Sequence, residues 1–338
     1  MKFVTSLTIS PTDMSWILRL WDESDNELNP FAHILVTPLF ASERMMEIIK
    51  DLKFRRNSEV YFDSGGYYVQ QGKIEYEELY RKLMDFYLEN QWADWYILPD
   101  HVPISQDSPQ DVERKVQDTI TTSKLFYEQL PISLRQKAMP VVQGHTISQV
   151  QRCVESYVQM GLTYIGFGSF GTNNINNNTN VVNAASLERV KRISQILKDK
   201  SIPIHLFGVA TPPLIFLFHK LGIHSFDSLS WMRSAGYGKA FLPYVRAYNV
   251  SHRSTRNSSL TELEFEKLKS LTGHECSFCS SFRELSLRKD YRTLHNLAVI
   301  VDTVEKSSSD FDEAKILEIM KNKSVKYYNL FFEVLNDE

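Results

Sequence analysis

The chain alternates short runs rich in β-branched and aromatic residues with longer segments whose apolar residues recur at helical spacing. The short runs predict strands, and the longer segments predict amphipathic helices. Strands are predicted near Phe3–Thr8, His33–Thr37, Val60–Asp63, Trp95–Pro99, Pro140–Gln143, Tyr164–Gly168, Ile204–Val209 and Ser225–Leu229. Helices are predicted between them at Ser42–Phe54, Tyr76–Asn90, Pro109–Gln129, Ile147–Met160, Ser186–Lys198 and Pro212–Leu221. In the fourth helix Val150, Val154 and Val158 recur at every fourth position, as in a helix that packs one face on a sheet.

This alternation is typical of an α/β fold, and eight strands interleaved with helices over roughly 230 residues predict a (β/α)8 TIM barrel. A doubly wound open sheet is the alternative. In a barrel the active site lies at the C-terminal ends of the strands, so functional residues should follow the apolar runs. Residues of this kind are Asp63, Asp100, Gln143 and Gly168, which follow strand runs, and Asp227, which lies in the last one.

After the eighth run the pattern changes to a polar, Ser-rich stretch, then a Cys/His group, then helical segments near Leu294–Val304 and Asp312–Leu335. We therefore expect a catalytic barrel over residues 1–250, a small metal-binding subdomain over 251–300 and a C-terminal helix over 301–338 that packs on the barrel. The Asn-rich tract Thr172–Asn180 is either a polar loop or a substrate contact on the catalytic face.

Composition narrows the class of protein. With 338 residues, 43% of them hydrophobic and 12% aromatic, the chain can bury a large core. It has no signal-peptide pattern and no apolar run of about 18 residues, so we expect a soluble, cytoplasmic protein that does not contact a membrane. The three cysteines are too few for a disulfide framework.

Charge is distributed unevenly along the chain. The net charge of -3 argues against a protein that coats nucleic acid through global positive charge. Residues 228–261, however, contain no acid, and this stretch carries five basic residues, Arg233, Lys239, Arg246, Arg253 and Arg256. It is either a local patch for a phosphate backbone or a solvated loop with incidental charge.

The segment Phe62–Tyr67 is the most informative motif. An acid at a strand end followed by Ser-Gly-Gly lets the backbone approach a ligand closely, and a tyrosine stands beside it. The same residues also make an ordinary turn.

The order of five motifs along the chain supports a functional role for this segment. They are Phe62–Tyr67, Val142–Gly144, Tyr164–Gly168, His205–Pro212 and Phe226–Ser228. In this order they resemble the successive motifs of the tRNA-guanine transglycosylase superfamily, and the resemblance extends from about Val60 to Asn296.

The resemblance implies two catalytic carboxylates, with Asp227 as a covalent nucleophile and Asp63 as the general acid/base. Cleavage of an N-glycosidic bond passes through an oxocarbenium-like state, which a carboxylate at the anomeric carbon can capture until a second base displaces it. Each residue also has a structural interpretation, because Asp227 could cap a helix and Asp63 could stabilise its turn.

A purine pocket is implied as well. Asp100 and Gln143 would bind the guanine-like edge, backbone groups near Gly166 and Phe167 would meet its carbonyl side, and Tyr67 and Phe207 would sandwich the ring. Phe207 stands where the family usually has methionine, which leaves fine base selectivity open. The full set of implied substrate-binding residues is Ser64, Gly65, Gly66, Tyr67, Asp100, Gln143, Gly144, Gly166, Phe167, Gly168, Phe207 and Arg233.

The group His274, Cys276, Cys279 and His295 has a spacing suited to a structural, tetrahedral Zn²⁺. The family has a cysteine where His274 stands, and a longer gap before the last histidine. The alternatives are free thiols beside two surface histidines, or a redox pair, which is disfavoured because no strand-to-helix turn carries this C-x-x-C. Cys153 lies alone in an amphipathic helix and is expected in the core.

The substrate is the remaining question. The segment Ser230–Ala235 replaces the Pro-Thr-Arg type of segment of the tRNA enzymes, and no appended RNA-binding domain is recognised. Both features resemble the DNA-modifying branch, which exchanges guanine for a 7-deazaguanine derivative such as 7-cyano-7-deazaguanine. The expected partners are DNA, with tRNA as the alternative, and a free 7-deazaguanine base. The need for partner proteins of a DNA-modification system, and homodimer formation, stay open.

Two further classes stay open. One is a non-catalytic paralogue that binds nucleic acid, although both carboxylates are present. The other is an unrelated barrel hydrolase that uses Asp63 and Asp227 on a sugar or nucleoside and would release a base without requiring an incoming one.

Overall fold

The structure is a computed structural model, and it describes residues 1–170, 182–251, 259–309 and 312–335. Two sequence predictions lie outside the described residues. These are the Asn-rich tract Thr172–Asn180 and the part of the basic stretch that contains Arg253 and Arg256.

The described part of the chain contains eleven strands and fifteen α-helices, numbered here in chain order. The strands are β1 (Lys2–Ser6), β2 (His33–Val36), β3 (Glu59–Phe62), β4 (Trp95–Ile97), β5 (Ala138–Met139), β6 (Val141–Val142), β7 (Ile165–Phe167), β8 (Ile204–Leu206), β9 (Ser225–Ser228), β10 (Lys239–Leu242) and β11 (Val245–Asn249). The helices are α1 (Pro11–Asp22), α2 (Glu43–Arg56), α3 (Gly66–Gln70), α4 (Tyr76–Glu89), α5 (Pro109–Gln129), α6 (Ile132–Arg135), α7 (Ile147–Gln159), α8 (Ala184–Lys198), α9 (Pro212–Lys220), α10 (Ser230–Gly236), α11 (Glu262–Thr272), α12 (Phe282–Leu287), α13 (Lys289–Ser308), α14 (Glu313–Lys323) and α15 (Val325–Leu335).

The chain divides into two compact units. The sheet unit consists of Ala32–Val209 and Ile223–Asp227. The helical unit consists of Met1–Phe31, Ala210–Gly222 and Ser228–Glu338. The domain boundaries expected from the sequence, at residues 250 and 300, stay a prediction.

Parallel strands form the centre of the sheet unit. Strands β2, β3, β4 and β5 are successive parallel neighbours, and so are β6, β7, β8 and β9. Helices α2, α4, α5, α7 and α8 connect them and bury one face each. The fold class is therefore α/β of the TIM-barrel type, which confirms the prediction from the alternating pattern.

The ends of the strands are fixed by specific contacts. The Tyr87 hydroxyl lies 3.0 Å from the carbonyl oxygen of Phe62 and 2.8 Å from that of Ile97, so it links the ends of β3 and β4. After β6 the chain turns at Gly144, which has φ 148°. A Cβ there would lie 2.8 Å from the Cβ of Gln149, so only glycine fits this turn.

The structure differs from the sequence prediction in several places. Six helices of the described part of the chain were not predicted, namely α1, α3, α6, α10, α11 and α12. The predicted strand Pro140–Gln143 is the second of two short strands, β5 and β6, divided at Pro140, which has no N–H for a ladder hydrogen bond. The antiparallel hairpin β10–β11 was not predicted. The predicted helix Asp312–Leu335 is two helices, and they are separated at Ser324.

The helical unit is organised around α13. Twelve of its twenty residues are buried. Asn296 on this helix accepts a hydrogen bond from the Phe241 N–H at 2.8 Å and donates to the carbonyl oxygens of Trp231 and Lys239 at 3.1 and 3.0 Å. One buried amide therefore joins α13, α10 and β10. Among the described residues, no helix is both long enough and apolar enough to cross a membrane.

Candidate active site and metal centre

Four polar residues predicted from the sequence lie at strand ends of the sheet unit. Asp63 follows β3, Asp100 follows β4, Gln143 follows β6 and Asp227 lies within β9. We call these residues the carboxylate cluster. Because the carboxyl ends of parallel strands meet at one edge of a sheet, residues far apart in sequence come together here.

Asp63 has a strongly perturbed environment. Its backbone N–H donates to the Val36 carbonyl oxygen at 2.9 Å, and its Oδ2 accepts a hydrogen bond from the Thr37 hydroxyl at 2.8 Å. Burial raises the pKa of the Asp63 carboxyl to about 7, against the opposing effect of the Thr37 bond and with support from the negative charges of Asp100 and Asp227. A carboxyl with a pKa in this range can both give and take a proton near neutral pH.

Asp100 and Gln143 form a buried hydrogen-bonded pair. The Gln143 amide donates to Asp100 Oδ2 at 2.6 Å, and the Ser64 hydroxyl donates to Asp100 Oδ1 at 2.8 Å. The Ser169 hydroxyl donates to the Gln143 amide oxygen. Burial also raises the pKa of Asp100, opposed by its bonds from Ser64 and Gln143. These contacts fix which side of the amide faces the carboxylate, so the pair presents one defined polar edge.

Glycines allow the backbone to lie against this pair. A Cβ at Gly66 would be 2.6 Å from Asp100 Oδ1, and one at Gly168 would be 2.9 Å from Gln143 Nε2. Real Cβ atoms do not approach polar atoms so closely. The geometry of the Asp100–Gln143 pair therefore requires glycine at positions 66 and 168.

Asp227 is 5% exposed and is held through one oxygen. Its Oδ1 accepts a hydrogen bond from the Gly208 N–H at 2.8 Å and lies 3.3 Å from Nε2 of His205. Gly208 has φ 68°, a left-handed conformation that glycine adopts without strain. No donor among the described residues contacts Oδ2 of Asp227, so the two oxygens of this carboxylate differ.

Tyr67 and Phe207, the two aromatic residues predicted to flank a base, both belong to the sheet unit. Tyr67 is the second residue of α3, and Phe207 directly follows β8. The Phe207 ring covers the backbone of Gly166, where a Cβ would be 2.2 Å from ring atom Cε2. Phe167, by contrast, is buried and packs edge-on against Phe170 at 4.9 Å. The stacking of a base between Tyr67 and Phe207 stays a prediction.

Arg233 differs from the other predicted substrate-binding residues. It lies on α10 in the helical unit and is exposed. Its assignment to the base-binding site also stays a prediction.

Sequence reasoning missed several residues that contact the carboxylate cluster. Thr37, Ser169 and His205 contact Asp63, Gln143 and Asp227, respectively. A signal was available for His205, because residues two apart on a strand share a face and His205 precedes Phe207 by two. Ser225, which precedes Asp227 by two, carries the same signal.

In the helical unit His274, Cys276, Cys279 and His295 form a compact group, the Cys/His cluster. One ligand atom of each residue lies within 4.8 Å of those of the others. The sulfur atoms of Cys276 and Cys279 are 3.4 Å apart, and Cys276 Sγ is 3.4 Å from His295 Nδ1. Burial raises the pKa of Cys276, whereas the hydrogen bond from Cys276 lowers that of Cys279.

Both histidines of this cluster are oriented by a second partner. His274 contacts the Asp302 carboxylate through Nδ1 at 2.7 Å, and its Nε2 is buried with no hydrogen-bond partner among the described residues. His295 contacts the Phe241 carbonyl oxygen through Nε2 at 2.8 Å, which directs Nδ1 to the thiols. Such outer partners fix the tautomer of a metal-binding histidine. The four side chains can therefore hold a metal ion, and the orphaned Nε2 of His274 fits this use.

Comparison with known proteins agrees with this arrangement. The family model described as "TGT: Queuine tRNA-ribosyltransferase" matches residues 83–329, more than two thirds of the chain. The matched range contains Asp100, Gln143, Asp227 and the Cys/His cluster, while Asp63 precedes it. A search of curated proteins found no match. From its fold, its strand-end residues and this match, the chain belongs to the queuine tRNA-ribosyltransferase family.

Proposed function

We propose that the protein exchanges a guanine base in DNA for a 7-deazaguanine derivative, such as 7-cyano-7-deazaguanine, through a covalent intermediate on Asp227. Family membership supports the coarser statement, that the chain is a transglycosylase acting on nucleic acid. The observation that carries the proposal is the contrast between two carboxylates. Asp227 is held through one oxygen, and burial raises the pKa of Asp63 to about 7.

The contrast suits a two-step exchange. In the first step Oδ2 of Asp227 bonds to the anomeric carbon C1′ while the bond from C1′ to N9 of guanine breaks. The electron pair of that bond leaves with guanine, and the protonated Asp63 carboxyl supplies a proton to the departing base. The products are an Asp227–sugar ester and free guanine.

The second step reverses these roles. Asp63, now ionised, takes the proton from the corresponding ring nitrogen of the incoming base, and that nitrogen bonds to C1′. The C1′–Oδ2 bond breaks with its electron pair returning to the Asp227 carboxylate. One carboxyl must give a proton and then take one, which is most effective when its pKa lies near the working pH.

The Asp100–Gln143 pair suits the Watson–Crick edge of a guanine-like base. Each Asp100 oxygen accepts one hydrogen bond from Ser64 or Gln143 and retains the capacity for another. An N1–H and an exocyclic amine would fill that capacity. Tyr67 and Phe207 would provide stacking surfaces, because aromatic rings bind a base face without reading its identity.

The choice of DNA depends on the segment after the nucleophile. Residues Ser230–Ala235 belong to α10 and differ from the Pro-Thr-Arg type of segment of tRNA-modifying members. The hairpin β10–β11 brings Lys239 and Arg246 to two adjacent strands, where they would contact phosphates. In a duplex the target base would have to be flipped out of the stack before Asp227 reached its sugar.

The metal of the Cys/His cluster is proposed to be Zn²⁺. Cys276 Sγ lies 3.4 Å from both Cys279 Sγ and His295 Nδ1, and all four ligand atoms lie within 4.8 Å of one another. Around a tetrahedral ion, neighbouring sulfur and nitrogen ligands lie roughly 3.3–3.8 Å apart, so small movements of the side chains would complete the site. Such an ion would contribute stability rather than chemistry at the base.

The direct test incubates the full-length protein with labelled guanine or 7-cyano-7-deazaguanine, with DNA and tRNA in separate reactions. We expect incorporation into DNA and a covalent protein–DNA adduct when the second base is withheld. Adduct formation should slow as the pH rises through about 7, because the first step needs protonated Asp63.

The other outcomes identify the alternatives. The family description names a tRNA-ribosyltransferase, so incorporation into tRNA alone would refute the DNA assignment and retain the exchange reaction. Release of a base without any requirement for an incoming one would indicate a hydrolase. Binding without adduct or exchange would indicate a non-catalytic paralogue.

A further inference from the structure

A line of polar side chains extends behind Asp227 into the sheet unit. His205 Nε2 is 3.3 Å from Asp227 Oδ1, His205 Nδ1 is 2.6 Å from the Ser225 hydroxyl, and that hydroxyl contacts the Tyr164 hydroxyl. We propose that His205 is a positioning residue that acts as a neutral imidazole with its proton on Nε2. It holds Oδ1 of Asp227 so that Oδ2 attacks the sugar. The inference rests on the proposed role of Asp227 as the nucleophile.

The line follows from strand geometry. His205 is the middle residue of β8, while Ser225 and Asp227 are alternate residues of the neighbouring β9. The two strands are parallel, with His205 paired to Ser225 and Leu206 to Phe226. Side chains two apart share a face, so one imidazole can reach both Ser225 and Asp227.

The hydrogen-bond count favours one tautomer. A nitrogen lone pair at Nε2 would face the carboxylate oxygen of Asp227 and repel it, so Nε2 carries the proton. With the Tyr164 hydroxyl donating to Ser225 and the Ser225 hydroxyl donating to Nδ1, every hydrogen in the line has an acceptor. This arrangement needs no charge on the imidazole.

Neutrality suits the surroundings and the reaction. His205 is fully buried, lies 5.8 Å from the Tyr61 ring with the two planes near parallel, and meets the Phe207 ring edge-on at 4.4 Å. An imidazolium there would cancel the negative charge that Asp227 must offer to an oxocarbenium-like centre. A neutral N–H fixes the carboxylate and preserves that charge.

The two donors on Oδ1 also favour the second step. When Oδ2 is bonded to C1′, Oδ1 is the carbonyl oxygen of the ester, and it becomes a carboxylate oxygen again as the ester breaks. The N–H groups of Gly208 and His205 bind the more negative form more strongly. Loss of the His205 donor should therefore slow breakdown of the adduct more than its formation.

The first test is ¹⁵N NMR of histidine-labelled, full-length, metal-loaded protein at neutral pH. The His205 signals are identified by their loss in His205→Gln. We expect a neutral ring with hydrogen on Nε2 and a hydrogen-bonded, unprotonated Nδ1. Hydrogen on Nδ1, or on both nitrogens, would overturn the proposal. Because this measurement needs no substrate, it gives an answer even when no exchange activity is found.

The second test compares His205→Phe, which keeps ring volume, with His205→Gln, which keeps an N–H donor. Breakdown of the adduct by incoming base should fall about 10- to 100-fold in the Phe variant, as for loss of one hydrogen bond to a charged group, with a smaller change in KM for the base. The Gln variant should recover part of that loss. His33→Gln is the matched control, since His33 pairs with Glu59 at the beginning of β2.

The proposal would be overturned if the adduct broke down at the same rate in the wild type and in a folded His205→Phe variant. It would also be overturned if the Phe and Gln variants had equal melting temperatures and equally slow breakdown. Failure of the proposed function gives a different result. In that case Asp227→Ala would still form adduct, or the unsubstituted protein would form none.

Discussion

The carboxylate cluster of the sheet unit and the Cys/His cluster of the helical unit use hydrogen bonds in opposite ways. In the first, each polar group has its own partners, so three aspartates acquire three different environments. In the second, outside partners take one nitrogen of each histidine, so the other nitrogens face the two thiols. The first arrangement gives three carboxyl groups different environments, and the second directs two thiols and two imidazoles toward one point.

This difference teaches what each cluster tolerates. A site in which each carboxylate has a different chemical role should lose activity and keep its fold when one of them is changed. A site that gathers ligands around an ion should lose its fold locally and affect the chemistry only through stability. The variants below test that separation.

The largest effect is expected for Asp227→Ala. Removal of the proposed nucleophile should lower exchange by at least about 10³-fold and abolish the adduct seen on a denaturing gel, because the ester is proposed to form on this carboxylate. Melting temperature and metal content should match those of the wild type. An adduct in this variant would show that another residue is the nucleophile. A loss of metal would show that a change in the carboxylate cluster also affects the Cys/His cluster.

A large stability effect is expected for Cys279→Ala. Removing one proposed ligand should release the proposed metal and lower the free energy of unfolding by about 3–5 kcal/mol, as for the loss of a structural site or a buried polar group. Metal analysis and thermal unfolding measure both. Cys153→Ala is the matched control, because Cys153 is a buried thiol in the sheet unit and its loss should leave the metal in place. Full metal content in Cys279→Ala would contradict the assignment.

A pH-dependent effect is expected for Asp63→Asn. The folded pKa of about 7 exceeds the ordinary 3.8, so ionising Asp63 costs stability as the pH rises through this window. The Asn variant avoids that cost. It should match the wild type below about pH 4 and be more stable by about 2–4 kcal/mol above pH 7.

The measurement is denaturant unfolding across pH, with Asp111→Asn as a control of opposite sign. The Ser108 hydroxyl and Arg114 hold the pKa of Asp111 below its ordinary value, so that variant should lose stability at high pH. A pH-independent difference between Asp63→Asn and the wild type would exclude a raised pKa at Asp63.

The smallest effect is expected for Asp302→Asn. This carboxylate orients His274 through Nδ1 without being a ligand of the Cys/His cluster, so metal affinity should fall by roughly 10- to 100-fold and the metal should still bind. Competition with a chelator measures the affinity. Asp290→Asn is the control on the same helix, because Asp290 pairs with Arg288 at 2.6 Å. Equal metal affinities in the Asp302→Asn and Asp290→Asn variants would show that Asp302 does not orient His274 for metal binding.

The two clusters were predicted from different features of the sequence. The ligands of the Cys/His cluster are close in the chain, so their spacing alone indicated the site. Asp63 and Asp227 are far apart in the chain. Their positions at apolar runs placed them at one edge of a parallel sheet, and the resemblance to the transglycosylase family supplied their expected roles. The positions of α2, α4, α5, α7, α8 and α9 followed from periodicity for the same local reason, whereas α1, α10, α11 and α12 were not predicted.

The supporting residues were harder to find. His205 stands between Ile204 and Leu206 in an apolar run and looks like an ordinary core histidine until β9 is placed beside β8. Thr37 and Asp302 act on residues 26 and 28 positions away, so no local pattern contains them. The division of a strand at Pro140 was visible in the sequence, but the hairpin β10–β11 has no strong turn motif.

The course of the backbone between the two units has a consequence for how such a protein can change. The chain passes from one unit to the other after Phe31, Val209, Gly222 and Asp227, so neither unit is encoded by one continuous stretch. A recombination event that moves one continuous stretch could carry the sheet unit only together with Ala210–Gly222, and it could not carry the helical unit without the sheet unit. Point substitutions and short insertions in loops are the changes that leave both interleaved units whole.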